Sequence, residues 1–89
     1  MEKRIGSALI LVESKADIDS LNKILSSHSS IILSRQGLPL KDRQANLISV
    51  ILEGSTDEIG SLTGKIGRLE FIQVKSVLLK NNTNYEGIL

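Results

Sequence analysis

Two arginines bracket the stretch Arg35-Gln36-Gly37-Leu38-Pro39-Leu40-Lys41-Asp42-Arg43, which also holds a lysine, a glycine and the only proline of the chain. Two guanidinium groups beside a glycine turn have the means to clamp a carboxylate or phosphate through paired charge-assisted bonds. The same arginines would equally serve to pair with Asp42 or Glu53 and hold the loop. Further along, Gly54-Ser55-Thr56-Asp57 precedes an amphipathic run, and the free N–H groups at the start of such a helix favour an anion. Arg35, Gly37, Lys41, Arg43, Gly54, Thr56 and Asp57 are therefore the candidate ligand-binding residues. No residue is assigned a catalytic or metal-binding role, and no cofactor is expected.

Other groups carry less. His28 is the only histidine; on the apolar face of a helix near its C-terminus it is expected to pack or to cap. Gly60, Gly64 and Gly67 fall at i, i+4 and i+7, away from the apolar stripe of their helix, and each costs about 1 kcal/mol relative to alanine. They leave room for a neighbouring helix or a bound molecule, or else mark a glycine-tolerant surface. Gly60-x-x-x-Gly64-Lys65 is not a phosphate-binding P-loop: it lacks one spacer residue and has Ile66 where Ser or Thr would meet magnesium.

The elements that must position these residues alternate in period. Ile5 to Val12 is a nearly continuous apolar run, which predicts a strand. From Ser14 to His28 the spacing changes: Ile18, Leu21, Ile24, Leu25 and His28 share one helical face, with Ser14 as the expected N-cap and Asp17 in an acidic first turn. Ile31 to Arg35 predicts a second strand. Gly37-Leu38-Pro39 is read as the turn, because proline cannot donate to a ladder. Asn46 to Glu53 is the third strand. Ser55-x-x-Glu58 has the form of a capping box, opening a second helix with Ile59, Leu62, Ile66 and Leu69 in one stripe. Phe71 to Leu79 closes the pattern as a fourth strand.

Strand, helix, strand, strand, helix, strand predicts an α+β, ferredoxin-like βαββαβ sandwich: a four-stranded antiparallel sheet with two helices on one face. Residues 1–80 would form one domain and 81–89 a tail, and a chain of 89 residues has room for no more. So short a chain has a marginal core of its own. Its strands do not alternate cleanly, since Ile5, Leu9 and Leu11 oppose Ala8, Ile10 and Val12, while Ile48, Val50 and Leu52 oppose Leu47 and Ile51. The uncovered sheet face is expected to meet another copy, in a homodimer or homotetramer, the alternative being a monomer whose edge and tail cover it.

Composition excludes several classes. Eleven basic against ten acidic residues give a net charge of +1, too little field to grip nucleic acid or an anionic membrane. Cysteine is absent, which removes disulfides, thiolate nucleophiles and cysteine-held clusters. The two aromatic residues, Phe71 and Tyr85, lie outside the central strands, so bases have nothing to stack on. The segment after the first strand, Glu13 to Asp17, lacks the glycine-rich arginine loop of acylphosphatase-like catalysis, and nothing pairs a nucleophile with a base. With no span approaching 18 apolar residues, a cytoplasmic protein is expected.

Taken together, the Arg-x-Gly-x-Pro-x-x-x-Arg loop and the helix Thr56-Asp57-Glu58-Ile59-Gly60-Ser61-Leu62-Thr63-Gly64-Lys65-Ile66-Gly67 resemble the family of iron-only hydrogenase system regulators. These are small proteins similar to ACT domains and to the ligand-binding domain of nickel-responsive repressors. The resemblance covers roughly residues 1 to 80 and implies an ACT-like fold and a non-enzymatic, effector-binding regulatory role, exercised through a protein partner. It also shows departures. Leu40 stands where relatives carry a tyrosine after the proline. The histidines and cysteine of nickel-responsive relatives are missing, and Glu13-Ser14-Lys15-Ala16-Asp17 lacks the glycine expected of amino-acid-binding ACT domains. The resemblance leaves open a purely structural role, as an assembly or docking protein for a larger complex with no small-molecule ligand.

Overall fold

A computed structural model describes residues 2–80; the expected tail, 81–89, lies outside the described residues. The chain forms β1 (Arg4–Glu13), α1 (Ile18–Ser27), β2 (Ile32–Leu40), β3 (Ala45–Gly54), α2 (Thr56–Gly67) and β4 (Ile72–Leu78), with single 3-10 turns at Ser29–Ile31 and Lys41–Arg43. The four strands make one sheet in the order β2-β3-β1-β4, every neighbouring pair antiparallel. This is the ferredoxin-like α+β sandwich anticipated from the order of elements.

Period-two alternation sorts each strand onto two faces. Ala8, Ile10 and Val12 of β1, Ile48, Val50 and Leu52 of β3 and Ile72 of β4 are buried, together with Leu21 and Leu25 of α1 and Ile59, Leu62 and Ile66 of α2. These residues form one aliphatic core between the sheet and its helices. Gly6 belongs to the same face, and there the strands crowd: a Cβ at this position would fall 2.5 Å from the Val77 carbonyl oxygen and 2.6 Å from Leu78 Cδ2.

Both helices begin on side-chain caps, one of them not where the sequence suggests. For α1 the N-cap is Asp17, not Ser14: its carboxylate accepts from the Ser20 backbone N–H at 3.1 Å and from the Ser20 hydroxyl at 2.7 Å. Ser14 is spent in a turn closed by the Ala16 N–H to the Glu13 carbonyl, so the helix starts only after it. The capping box of α2 is complete, with Glu58 N–H donating to Ser55 Oγ at 3.1 Å and Ser55 N–H donating to Glu58 Oε1 at 2.8 Å. These hydrogen bonds hold the carboxyls of Asp17 and Glu58 below the usual carboxylate range, the first chiefly through the Ser20 hydroxyl and the second chiefly through the Ser55 N–H.

The second strand is the main correction to the sequence reading. Gly37-Leu38-Pro39 does not turn the chain. β2 continues through it to Leu40, with Gly37 opposite Ile48, Leu38 opposite Leu47 and Pro39 opposite Asn46. β2 lies at the edge of the sheet, where a residue without an N–H can face away from the ladder. The reversal comes later, at Lys41–Arg43, and is completed by Gln44 in the left-handed region at φ 51°.

Candidate functional site

With β2 extended, its residues sort by parity. Arg35 pairs with Val50 and Gly37 with Ile48, both buried core positions, so Arg35 and Gly37 share the face that the helices cover. Arg35 reaches across to α1, where its Nη2 donates to Asn22 Oδ1 at 3.0 Å. Asn22 directly follows the core residue Leu21, which places it at the edge of the helix nearest β2. Between helix and strand lies a cleft of about 230 Å³. Its floor is formed by buried Val12, Leu21 and Ile48, Ile18 forms an apolar lip, and Arg35, Asn22 and Asn46 stand at its polar margin. Gly37 keeps it open, since a Cβ there would meet nothing within 4 Å.

The remaining candidate residues lie elsewhere. Lys41 and Arg43 sit exposed in the turn after β2, and the hollow beside them is walled only by residues 39–43 of that turn. Gly54, Thr56 and Asp57 lie at the opposite end of β3, whose ten residues separate the two groups by about 30 Å at the ordinary strand rise. Gly54 has a packing reason to be glycine: a Cβ would stand 3.0 Å from Ile31 Cγ2 and 3.1 Å from Glu58 Oε1. Thr56 and Asp57 are exposed in the first turn of α2, where the capping box already engages the backbone N–H groups of Ser55 and Glu58. One chain therefore brings Arg35 and Gly37 together and leaves the others in two distant groups; a site shared by all seven would need more than one chain.

His28 caps α1, as its position on the helix suggests. Its ring Nδ1–H donates to the Ile24 carbonyl at 2.8 Å, and Nε2 lies 3.4 Å from Ser61 Oγ on α2. The glycine row on α2 faces open space at Gly60 and Gly64, where an added Cβ would meet nothing within 4 Å, while Gly67 would lie 3.7 Å from Val74 Cγ1. Among the described residues no group of three or more His, Cys, Asp or Glu could hold a metal ion, and no helix is long and apolar enough to cross a membrane.

Sequence reasoning singled out Arg35 and Gly37 but missed Asn22 and the apolar floor. The signal was their i, i+2 spacing. Two residues apart on a strand share a face, a relation between Arg35 and Gly37 that a turn at Gly37 would hide.

Comparison with known proteins gives the chain its relatives. No curated protein matches it. Among solved structures, an uncharacterized protein from Thermotoga maritima, TM1266, is 35% identical, superposes with a TM-score of 0.84, and is matched over 89% of this chain and 100% of its own. A weaker likeness, 13% identity with a TM-score of 0.49 over 89% of this chain and 58% of the other, is to LarC2, the C-terminal domain of a cyclometallase involved in the synthesis of the NPN cofactor of lactate racemase, in its apo form. At that level it carries no argument. The TM1266-like family model, described as "Iron-only hydrogenase system regulator, putative", matches residues 4–76, and with most of the fold so covered the chain belongs to the TM1266-like family.

Proposed function

We propose that this chain is a non-enzymatic regulatory module of an iron-only hydrogenase system, working in the cytoplasm as a homodimer or homotetramer that responds to a small anionic effector. The family description supports the regulatory part. The observation that carries the assembly is the sheet face opposite the helices. Ile5 and Leu9 of β1, Ile51 of β3, Leu38 of β2 and Val77 of β4 are all exposed there, and the register sets Leu38, Leu47 and Leu11 side by side across three strands. Four strands about 4.8 Å apart and about 30 Å long present roughly 550 Å² in plan. Side-chain relief brings that toward the about 800 Å² per partner of a standard interface. The sheet edges suit association less: β2 carries a bulge between Ile32 and Ser34 and a proline at 39, and β4 carries Lys75, devices that discourage edge-to-edge pairing.

The effector part rests on Arg35, a cation at the mouth of an apolar cleft whose bonded partner, Asn22, is a neutral amide. Light scattering coupled to gel filtration, followed by a thermal-shift screen of amino acids, organic acids, nucleotides and metal ions, tests both parts. The expected result is an oligomer stabilised by one anionic class; a monomer, or an oligomer indifferent to every compound, counts against the proposal.

A second reading, an assembly or docking protein with no small-molecule ligand, draws on the wide separation of the remaining candidate residues along β3. The double variant Arg35→Ala with Arg43→Ala separates the two. Loss of ligand response with the oligomer intact supports sensing, whereas dissociation alone supports packing.

A further inference from the structure

We infer that the cleft between α1 and β2 is a binding site for a short monocarboxylate without an ammonium group, an assignment that rests on the effector-binding reading and gives it a place and a chemistry. Three observations point the same way. One side is apolar, made by Ile48 and the exposed Ile18 over the buried Val12 and Leu21, which favours a hydrocarbon body. Among the described residues Arg35 is the one charged side chain lining the cleft; having given one N–H to Asn22, it retains four of its five donors. A carboxylate matches the remaining planar fork. A single cation balances a single negative charge, whereas a dianion would leave charge uncompensated beside an apolar floor.

Among the described residues no acidic side chain lines the cleft, which decides against amino acids. An α-ammonium group entering here would find only the neutral amides of Asn22 and Asn46 to accept from it, beside the fixed positive charge of Arg35 and with no carboxylate to balance it. Size narrows the class further. At about 230 Å³ the cleft is smaller than the about 300 to 1,000 Å³ typical of drug-sized ligands, which fits an acid of a few carbons. Gly37 is the position that keeps the space available, because a side chain on this face would project into it without meeting any protein atom within 4 Å.

The test is a titration of the full-length, ¹⁵N-labelled protein with sodium isobutyrate, and in parallel with valine and isobutyramide, followed by amide chemical shifts. Isobutyrate is expected to produce saturable shifts centred on Asn22, Arg35, Gly37 and Ile48, while valine and isobutyramide produce none at these positions. Arg35→Ala should weaken isobutyrate at least about ten-fold, the scale of one lost charge-assisted bond, and Arg35→Lys should recover part of that loss. Gly37→Val should abolish binding while the spectrum elsewhere is unchanged. The site is overturned if isobutyrate leaves the cleft amides unmoved, if Arg35→Ala binds it as the native chain does, or if valine binds as well. The effector reading itself fails on a different result, namely a thermal-shift screen in which no compound stabilises the native oligomer; a stabilising compound that leaves these four amides untouched refutes the cleft alone.

Discussion

The two faces of the sheet are built from the same strands and nearly the same side chains, yet they meet opposite fates. In β1, Ile10 is fully buried at 0% exposure, whereas its neighbour Leu9 is 50% exposed; Ile5 stands at 43% and, on β4, Val77 at 65%. One face is sealed by Leu21 and Leu25 of α1 and by Ile59, Leu62 and Ile66 of α2. The other offers leucines, isoleucines and a valine to whatever comes next. Apolar composition alone therefore does not tell which face is a core within the chain. What distinguishes the faces is the amphipathic stripe of each helix and the short connections that lay both helices on one side.

Substitutions sharpen that contrast. Ile10→Ala leaves a void in the sealed face and should cost about 2 to 4 kcal/mol, read from denaturant unfolding. Leu9→Ala, one residue away, should cost less than about 1 kcal/mol at protein concentrations low enough to suppress association. Equal losses at the two sites would erase the distinction between the faces. Gly6→Ala tests the tightest approach on the sealed face. The new Cβ collides with the Val77 carbonyl oxygen and Leu78 Cδ2, and a loss of about 1 to 3 kcal/mol is expected.

Ser55→Ala removes one half of the capping box of α2 and should lower stability by about 1 to 2 kcal/mol, visible as a lower thermal midpoint. On the outer side of the same helix the sign reverses: Gly60→Ala and Gly64→Ala enter open space and should each raise stability by about 0.4 to 1 kcal/mol. A loss of stability, or of assembly, at either position would reveal a partner lying against the glycine row.

The smallest effect concerns pH. Asp17 and Glu58 have carboxyls held below their ordinary range by the caps they make. The folded state therefore binds its protons later than the unfolded one as pH falls. Their contribution is fully present at neutral pH, begins to decline as the pH drops to about 4, where unfolded carboxylates take up protons, and is gone once it has passed below the folded values. A thermal midpoint that stays level from pH 7 to 5 and then declines is expected, and replacing Glu58 by Gln should flatten part of the decline.

Much of this architecture was legible in the residues. Changes of period mark both helices, Ser55 and Glu58 announce their capping box, and opposed apolar parities along β1 and β3 show the two-faced sheet. The misreadings have physical causes. Pro39 signals a turn only if its strand has neighbours on both sides, and edge position is a property of the whole sheet that no local pattern carries. Ser14 and Asp17 are equally good N-caps in isolation; the Glu13 to Ala16 turn decided between them. The candidate site was half legible for the same reason. Charge and glycine picked out Arg35 and Gly37, but Asn22 and the floor residues come from α1, β1 and β3, and only the assembled fold brings them to the cleft.

The most direct test of the central claim, that the open sheet face is completed by a second copy of the chain, is sedimentation equilibrium on the native protein beside Leu9→Asp. The native chain should sediment at a multiple of its 9.7 kDa. Leu9→Asp should sediment at the mass of one chain with an unchanged far-ultraviolet circular dichroism spectrum, because the new charge lies on the open face and leaves the core intact. A native protein of single-chain mass at every concentration, or a Leu9→Asp variant that assembles as the native chain does, would contradict it.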